Sequence, residues 1–81
     1  MDRELQEYYE KLLDLFSSEG WKQYIEDISD NMEFLQDINT ISDEKQLWFR
    51  RGQIEALQRI LSYESTIKNS YEDFEKDLED A

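Results

Sequence analysis

The sequence predicts an all-α fold, either a helical hairpin or a three-helix domain with a long, partly projecting C-terminal helix. Pro and Val are absent and Gly occurs twice, whereas sheets need turns and favour β-branched residues. Apolar side chains recur at steps of three and four along most of the chain. The 81 residues form a single domain, 1–81, and so short a chain buries only about 60% of its unfolded surface. We therefore expect a partner or a second copy to add stability.

The first helix is predicted over residues 2–17. Its apolar stripe follows steps of four, three and four along the chain: Leu5, Tyr9, Leu12 and Phe16. Asp2 and Glu4 fall in the first turn, where the helix dipole favours negative charge. The first helix is then expected to end, and the second to be capped, at Ser17, Ser18 and Gly20.

The second helix is predicted over residues 19–38. Its apolar residues keep a 4-3-4-3 rhythm, which places them on one side of a helix: Trp21, Ile25, Ile28, Met32 and Leu35. Asn39 to Ser42 is the predicted loop, with Ser42 as the N-cap of the third helix.

The third helix is predicted over residues 43–79, without a breaker. Its first stripe comprises Leu47, Ile54, Leu57 and Leu61. A second stripe, slightly rotated, comprises Ile60, Ile67, Tyr71, Phe74 and Leu78. The rotation predicts that the two halves of this helix face different neighbours.

The net charge of −12 argues against direct binding of nucleic acid or of anionic membranes, because both need a positive surface. The chain has neither Cys nor His, so thiol chemistry and the commonest general base are missing. No apolar run reaches the roughly 18 residues of a membrane span, and no signal-peptide core follows the charged N-terminus. We expect a cytoplasmic protein that needs no cofactor or metal.

Paired carboxylates suggest one enzymatic alternative. Glu7 with Glu10, and Asp27 with Asp30, loosely resemble the Glu-x-x-Glu…Glu-x-x-Asp layout of all-α nucleotide pyrophosphatases, which bind Mg²⁺ through oxygen. Asp27 stands where that layout has Glu, and acidic residues are so frequent in this chain that such spacings arise by chance. The expectation is therefore a protein that is not an enzyme.

Trp48 to Gln53 is the most unusual stretch of the sequence. Adjacent rings at 48 and 49 diverge by about 100° on a helix, so at least one of them is expected to face a second surface. Gly52 in mid-helix costs about 1 kcal/mol relative to Ala, which favours a site of close approach. Trp, Phe and Arg are typical interface anchors. The alternative is a small core of bulky residues with a tolerated Gly. The predicted interface comprises Trp48, Phe49, Arg51, Gly52, Ile67, Tyr71, Phe74 and Leu78.

Charge is divided unevenly along the chain. Residues 45–63 hold four bases and one acid, between strongly acidic flanks. The simplest expectation is that Arg50, Arg51 and Arg59 meet acids of the second helix, within one chain or between chains.

A ridge of acids follows the second helix beside its apolar stripe: Glu26, Asp30, Glu33 and Asp37. A rigid row of negative charge is typical of proteins that mimic nucleic acid to block a DNA-binding or defence protein. Amphipathic helices also need a polar side, so an ordinary solvated face explains the same pattern.

Three segments carry a likeness, together with Leu57 and Leu61: Ser18-Glu19-Gly20-Trp21-Lys22, Asp43-Glu44-Lys45 and Phe49-Arg50-Arg51-Gly52-Gln53. They resemble small acidic helical proteins of tailed bacteriophages. The likeness covers about residues 18–63 and assigns no residue roles. It implies a virion or assembly component, or an inhibitor of a host factor, in the host cytoplasm or the virion. The sequence as a whole predicts a non-enzymatic protein-interaction module that self-associates as a homo-oligomer or docks on a larger protein.

Overall fold

The computed structural model describes residues 2–80 and confirms the all-α fold. Its elements are α1 (Asp2–Ser17), α2 (Glu19–Leu35), a 3-10 turn (Ile38–Thr40) and α3 (Glu44–Asp80). The long C-terminal helix is unbroken, running through both Gly52 and Ser62. No helix within residues 2–80 combines the length and the apolar character of a membrane span.

The three helices form an elongated hairpin in which α1 and α2 follow one another antiparallel to α3. Near one end the ring of Tyr9 packs on Tyr71, with 5.4 Å between centroids. Near the other end Arg50 reaches the carbonyl of Leu35. The molecule measures 56 × 25 × 16 Å with a radius of gyration of 17.4 Å, against about 12 Å for a compact chain of this length. The hairpin is therefore long and thin.

The two halves of α3 do face different neighbours, as the rotated stripes predicted. α2 packs on the N-terminal half and α1 on the C-terminal half. Because α1 covers the C-terminal half of α3 on one side, that half is left without a partner on the side that faces away from α1.

The break between α1 and α2 coincides with a change of phase in the apolar pattern. Phe16 and Trp21 are five residues apart, where a continuous stripe would have three or four. Ser18 lies between them in extended conformation, and its hydroxyl oxygen accepts the backbone N–H of Trp21 at 3.2 Å, which caps α2. The rings of Phe16 and Trp21 lie 5.1 Å apart across the break. The interruption thus keeps both apolar stripes turned towards α3.

The connection between α2 and α3 differs from the predicted one. The helix α2 ends at Leu35 rather than at residue 38, because Asp37 leaves the helix and its carboxylate accepts the N–H of Asn39 at 3.0 Å. The N-cap of α3 is Asp43 rather than Ser42, since the Asp43 carboxylate accepts the N–H of Gln46 at 2.7 Å. The Gln46 side chain accepts in return from the N–H and hydroxyl of Ser42, a variant of the capping box.

The core is thin. The buried apolar residues are Phe16, Met32, Leu35 and Ile67. The accessible surface is 6554 Å², against about 5,200 Å² expected for a folded monomer of 9.9 kDa. The hairpin therefore leaves more surface in water than a typical domain of its mass.

Arg50 is buried in the seam between α2 and α3. Its guanidinium donates to the carbonyls of Leu35 (3.4 Å) and Thr40 (3.3 Å) and to the Thr40 hydroxyl, and it lies 5.1 Å from the centroid of the Phe34 ring. These contacts join the C-terminal end of α2, the 3-10 turn and α3. One arginine side chain therefore holds the connection in place.

Within one chain the arginines do not pair with acids of α2, so that half of the expectation is wrong, while pairing between chains stays a prediction. Arg50 donates to the carbonyl of Leu35, left unpaired at the end of α2, and to the carbonyl and hydroxyl of Thr40 in the 3-10 turn. Arg51 lies 3.9 Å from Glu55 of its own helix. Arg59 lies beside Trp21 and Tyr24 of α2, on the rim of an open apolar cleft. The rotation of α3 turns these side chains towards the loop, towards solvent and towards rings, and away from the acidic ridge.

Candidate interaction surface

The most exposed large apolar side chains gather at one end of the hairpin. We call residues 34–52 the tip and the remainder of the molecule the stem. The four most exposed large apolar residues of the described chain all belong to the tip: Ile38 (75%), Phe49 (69%), Trp48 (58%) and Phe34 (56%). Leu47 is exposed beside them. Trp48 and Phe49 both face solvent, where the sequence required only one of them to do so.

The tip carries no net charge. It holds three acidic and three basic side chains, so the whole charge of −12 belongs to the stem. Two of its acids, Asp37 and Asp43, accept backbone N–H groups, and Arg50 is buried. The structure therefore places an apolar, electrically neutral end on a strongly negative rod.

Trp48 and Arg51 form a stacked pair on the outer side of α3. The guanidinium carbon of Arg51 lies 5.6 Å from the centroid of the Trp48 ring, a cation–π geometry. Gly52 lies beside them on an open face, and beyond its chain neighbours and its own helix backbone a Cβ built there would meet no atom within 4 Å. The close approach expected at Gly52 is thus not made within this chain. The residue leaves a flat, uncovered patch next to the indole.

An open apolar groove runs along the neighbouring side of the tip. Its walls come from the end of α2, the loop and the first turns of α3: Leu35, Ile38, Ile41, Leu47 and Ile54, with Arg51 at one edge. Because Arg51 also stacks on Trp48, the exposed ring and the groove are adjacent on one surface. The sequence does not predict the groove, because it predicts residue 38 at the end of the second helix and Ile41 in the loop, whereas both lie in the connection.

The C-terminal part of the predicted interface is occupied within the chain. Ile67 is buried, and Tyr71 and Phe74 pack on Tyr9 with centroid distances of 5.4 and 5.6 Å. Leu78 remains exposed, at the opposite end of the molecule from the tip. The apolar rhythm that suggested an external partner reflects packing against α1. Trp48, Phe49, Arg51 and Gly52 are the predicted interface residues that lie together on the tip.

The acidic ridge is shorter than predicted. Glu26, Asp30 and Glu33 lie exposed on α2, within about 10 Å along the helix axis. Asp37 lies beyond the end of α2, where its carboxylate caps the 3-10 turn. Three carboxylates, rather than four, form the row.

Glu64 links α3 to the start of α2. Its carboxylate accepts the indole N–H of Trp21 at 2.9 Å and the Lys68 ammonium at 2.6 Å. The hydrogen bond from Lys68, followed by that from Trp21, lowers the pKa of Glu64 below its ordinary value of 4.5. Arg50 and Glu64 are thus two polar side chains within the apolar seam of α3. Each has hydrogen-bond partners, either in the segments packed against α3 or on α3 itself.

The lowered pKa of Glu64 predicts a pH-dependent contribution to stability. The ionised carboxylate is favoured in the folded state, so its contribution is present above pH 4.5 and is lost as the pH falls through the lowered pKa. We expect Glu64→Gln to be less stable than the parent at pH 7, and the difference to shrink below pH 4.5. The difference is expected to be small, since Glu64 is partly exposed.

The measurement is urea unfolding of both proteins between pH 7 and pH 3. Glu72→Gln removes the same charge from an exposed position of α3 and is the matched control. Identical pH dependence of the two variants would contradict the role given to Glu64.

Among the side chains that the structure describes, residues 2–79, no three acidic groups are placed so as to hold a metal ion. Comparison of the chain with protein-family models, with curated proteins and with solved structures finds no match.

Proposed function

We propose that this protein is a non-enzymatic protein-interaction module that binds through its tip. The observation that carries the proposal is the concentration of the most exposed apolar side chains at one neutral end of an otherwise acidic hairpin. Soluble proteins rarely leave such groups together in water unless a partner covers them. Aromatic side chains and Arg are also enriched at the centres of interfaces, where Lys and Glu are depleted.

The amount of apolar surface fits a docking site. The three rings and two aliphatic side chains of the tip expose on the order of 600 Å², taking 150–250 Å² for a whole aromatic side chain. This total is spread over more than one side of the tip. It equals the upper end of the largest apolar patch on a typical monomer and is somewhat below the roughly 800 Å² that each partner gives to a standard interface. The tip therefore provides enough area for a specific, reversible contact.

The resemblance to small phage proteins favours one form of this module, a virion or assembly component that self-associates or docks on a larger protein. Such a protein would work in the host cytoplasm or within the virion. The acidic stem suits this role, because it repels other polyanions and directs association to the tip.

A nucleic-acid mimic is the rival proposal, and the exposed row of Glu26, Asp30 and Glu33 supports it. Replacing these residues by Gln, Asn and Gln decides between the two. A mimic would lose its target, with binding that weakens strongly as salt rises. A module that binds through the tip would keep its partner.

The direct test of the proposal is the double variant Trp48→Ala/Phe49→Ala. We expect it to lose at least 10-fold in association, with itself or with the partner from its native source, because it removes the two most exposed rings of the tip. Its stability should change by less than about 0.5 kcal/mol, since both side chains are exposed. Sedimentation and affinity capture measure the first quantity, and urea unfolding the second.

The matched control is Tyr24→Ala/Leu5→Ala, which removes two exposed apolar side chains from the stem. Equal association of the tip variant, the stem variant and the parent would refute the proposal.

A further inference from the structure

We propose that the partner of the tip is a second copy of this chain, and that each copy inserts Trp48 into the groove of the other. The inference rests on the proposed function and specifies its partner. Two observations suggest it: a protruding ring and an unfilled apolar groove lie side by side on one surface, and that surface belongs to the uncharged part of the molecule.

The groove suits an aromatic ring. Its walls are mainly aliphatic, from Ile38, Ile41, Leu47 and Ile54, with Gln36, Arg50 and Arg51 also in the lining, and its volume is about 210 Å³. An engineered cavity of roughly 150 Å³ with similar walls accepts benzene. An indole that enters this groove exchanges water for aliphatic contacts on both of its faces, which is the favourable direction for apolar surface.

The ring cannot fill the groove of its own chain. Trp48 and Leu47 are adjacent on α3, so their side chains diverge by about 100°. Arg51 lies between the ring and the groove and stacks on the ring. A surface that carries a projection beside a matching recess is complementary to its own copy after a two-fold rotation. Two insertions then form in one step, and Arg51 borders each of them.

Electrostatics selects the tip over the stem for this pairing. Two stems lying side by side would bring two charges of −12 together, whereas two tips meet without net charge. Among two-fold arrangements that join the tips, repulsion favours those in which the stems point apart. Salt screens the remaining repulsion between the stems. Dimerisation is therefore expected to strengthen as ionic strength rises, opposite to the behaviour of a nucleic-acid mimic.

The geometry also sets the strength of the contact. The exposed residues on this side of the tip are Ile38, Leu47 and Trp48, while Phe34 and Phe49 lie outside the groove and the stacked pair. The area buried by each copy is then below that of a standard interface. We expect a dimer that forms reversibly with concentration.

The experiment separates the projection from the recess. One variant, Trp48→Ala, keeps the groove. The other, Ile38→Gln/Leu47→Gln, keeps the ring and makes two exposed walls of the groove polar. Sedimentation equilibrium up to about 1 mM measures the association of each variant, of the parent and of an equimolar mixture. Circular dichroism and urea unfolding confirm that each variant is folded.

We expect each variant alone to associate at least 10-fold more weakly than the parent. In the mixture, the intact ring of one variant meets the intact groove of the other, so a heterodimer with one of the two insertions recovers part of the association. Phe49→Ala alone is expected to dimerise like the parent. Tryptophan emission in a Trp21→Phe background should shift to shorter wavelength with concentration, as the indole of Trp48 leaves water.

Several outcomes would overturn the inference. Variants that dimerise like the parent, or a mixture no better than its components, would exclude reciprocal insertion. A parent that stays monomeric to about 1 mM would exclude the second copy as partner. In that case, a tip variant that loses capture of another protein would leave the proposed function standing. If the tip variants lose neither self-association nor capture of another protein, both the inference and the proposed function are wrong.

Discussion

Phe16→Ala is expected to cost about 3–5 kcal/mol of folding free energy, a large part of the stability of an 81-residue domain. Phe16 is the most buried side chain of the described chain, at 3% exposure. Its ring lies 5.1 Å from that of Trp21 on α2 and 5.7 Å from that of Tyr63 on α3, between centroids. It therefore joins all three helices where α1 gives way to α2, and its removal leaves a cavity at their junction.

Urea unfolding, monitored by circular dichroism, gives the difference in the free energy of unfolding between the parent and the variant. At about 4–8 °C per kcal/mol for a domain of this size, the midpoint of thermal unfolding should fall by more than about 12 °C. Phe49→Ala makes the same chemical change at a position that is mostly in water, and should cost less than about 0.5 kcal/mol. Similar losses in the two variants would mean that the core does not centre on Phe16.

Arg50→Ala is expected to cost about 2–3 kcal/mol and to release the connection between α2 and α3. Arg50 is 8% exposed and donates to the carbonyls of Leu35 and Thr40 and to the Thr40 hydroxyl. A hydrogen bond to a charged group contributes about 1.5–3 kcal/mol, and carbonyls left without a donor add to the loss. The aliphatic part of the side chain also packs in the seam. Lys at this position keeps the charge but lacks the fork that reaches two residues at once, so we expect only partial recovery.

The neighbouring residue supplies the control. Arg51→Ala removes the same side chain from the exposed side of α3, where its ion pair with Glu55 is long, and should change stability by less than about 0.5 kcal/mol. Hydrogen exchange gives a second, local readout. The amide of Ile41, which donates to the carbonyl of Ile38 at 3.1 Å, should lose protection in Arg50→Ala and keep it in Arg51→Ala. Equal exchange in the two variants would show that Arg50 does not hold the loop.

Arg50 and Glu64 also explain how a thin hairpin keeps one register. Apolar seams of heptad type tolerate slippage, and polar groups with defined partners oppose it. Arg50 finds its partners at the end of α2 and in the 3-10 turn that follows, and Glu64 finds the Trp21 indole at the start of α2. A shift of α3 by one turn would leave both charges without those partners. The polar seam positions thus align the two ends of α2 with α3.

The amino-acid sequence by itself determined the helical fold, the first helix and the change of partner along α3. These features follow from local rules: the absence of Pro and Val, a 3.6-residue apolar period and a Ser between two helices. The predicted end of α2 is three residues too late, because the Asp37 carboxylate caps the 3-10 turn and competes with helix continuation. The Asp43 carboxylate likewise moves the N-cap of α3 by one residue. Periodicity does not resolve such local competition.

Only the tertiary structure decided which apolar side chains are covered. Tyr71 and Trp48 both looked like interface residues, since a helical period identifies a face without identifying what lies against it. Packing of α1 covered Tyr71, while the hairpin left Trp48 in water beside a groove built from three separate segments. Arg50 shows the same dependence, because its partners are carbonyls that become available only where α2 happens to end. Burial is a property of two surfaces that meet, so it is settled by the way the helices assemble.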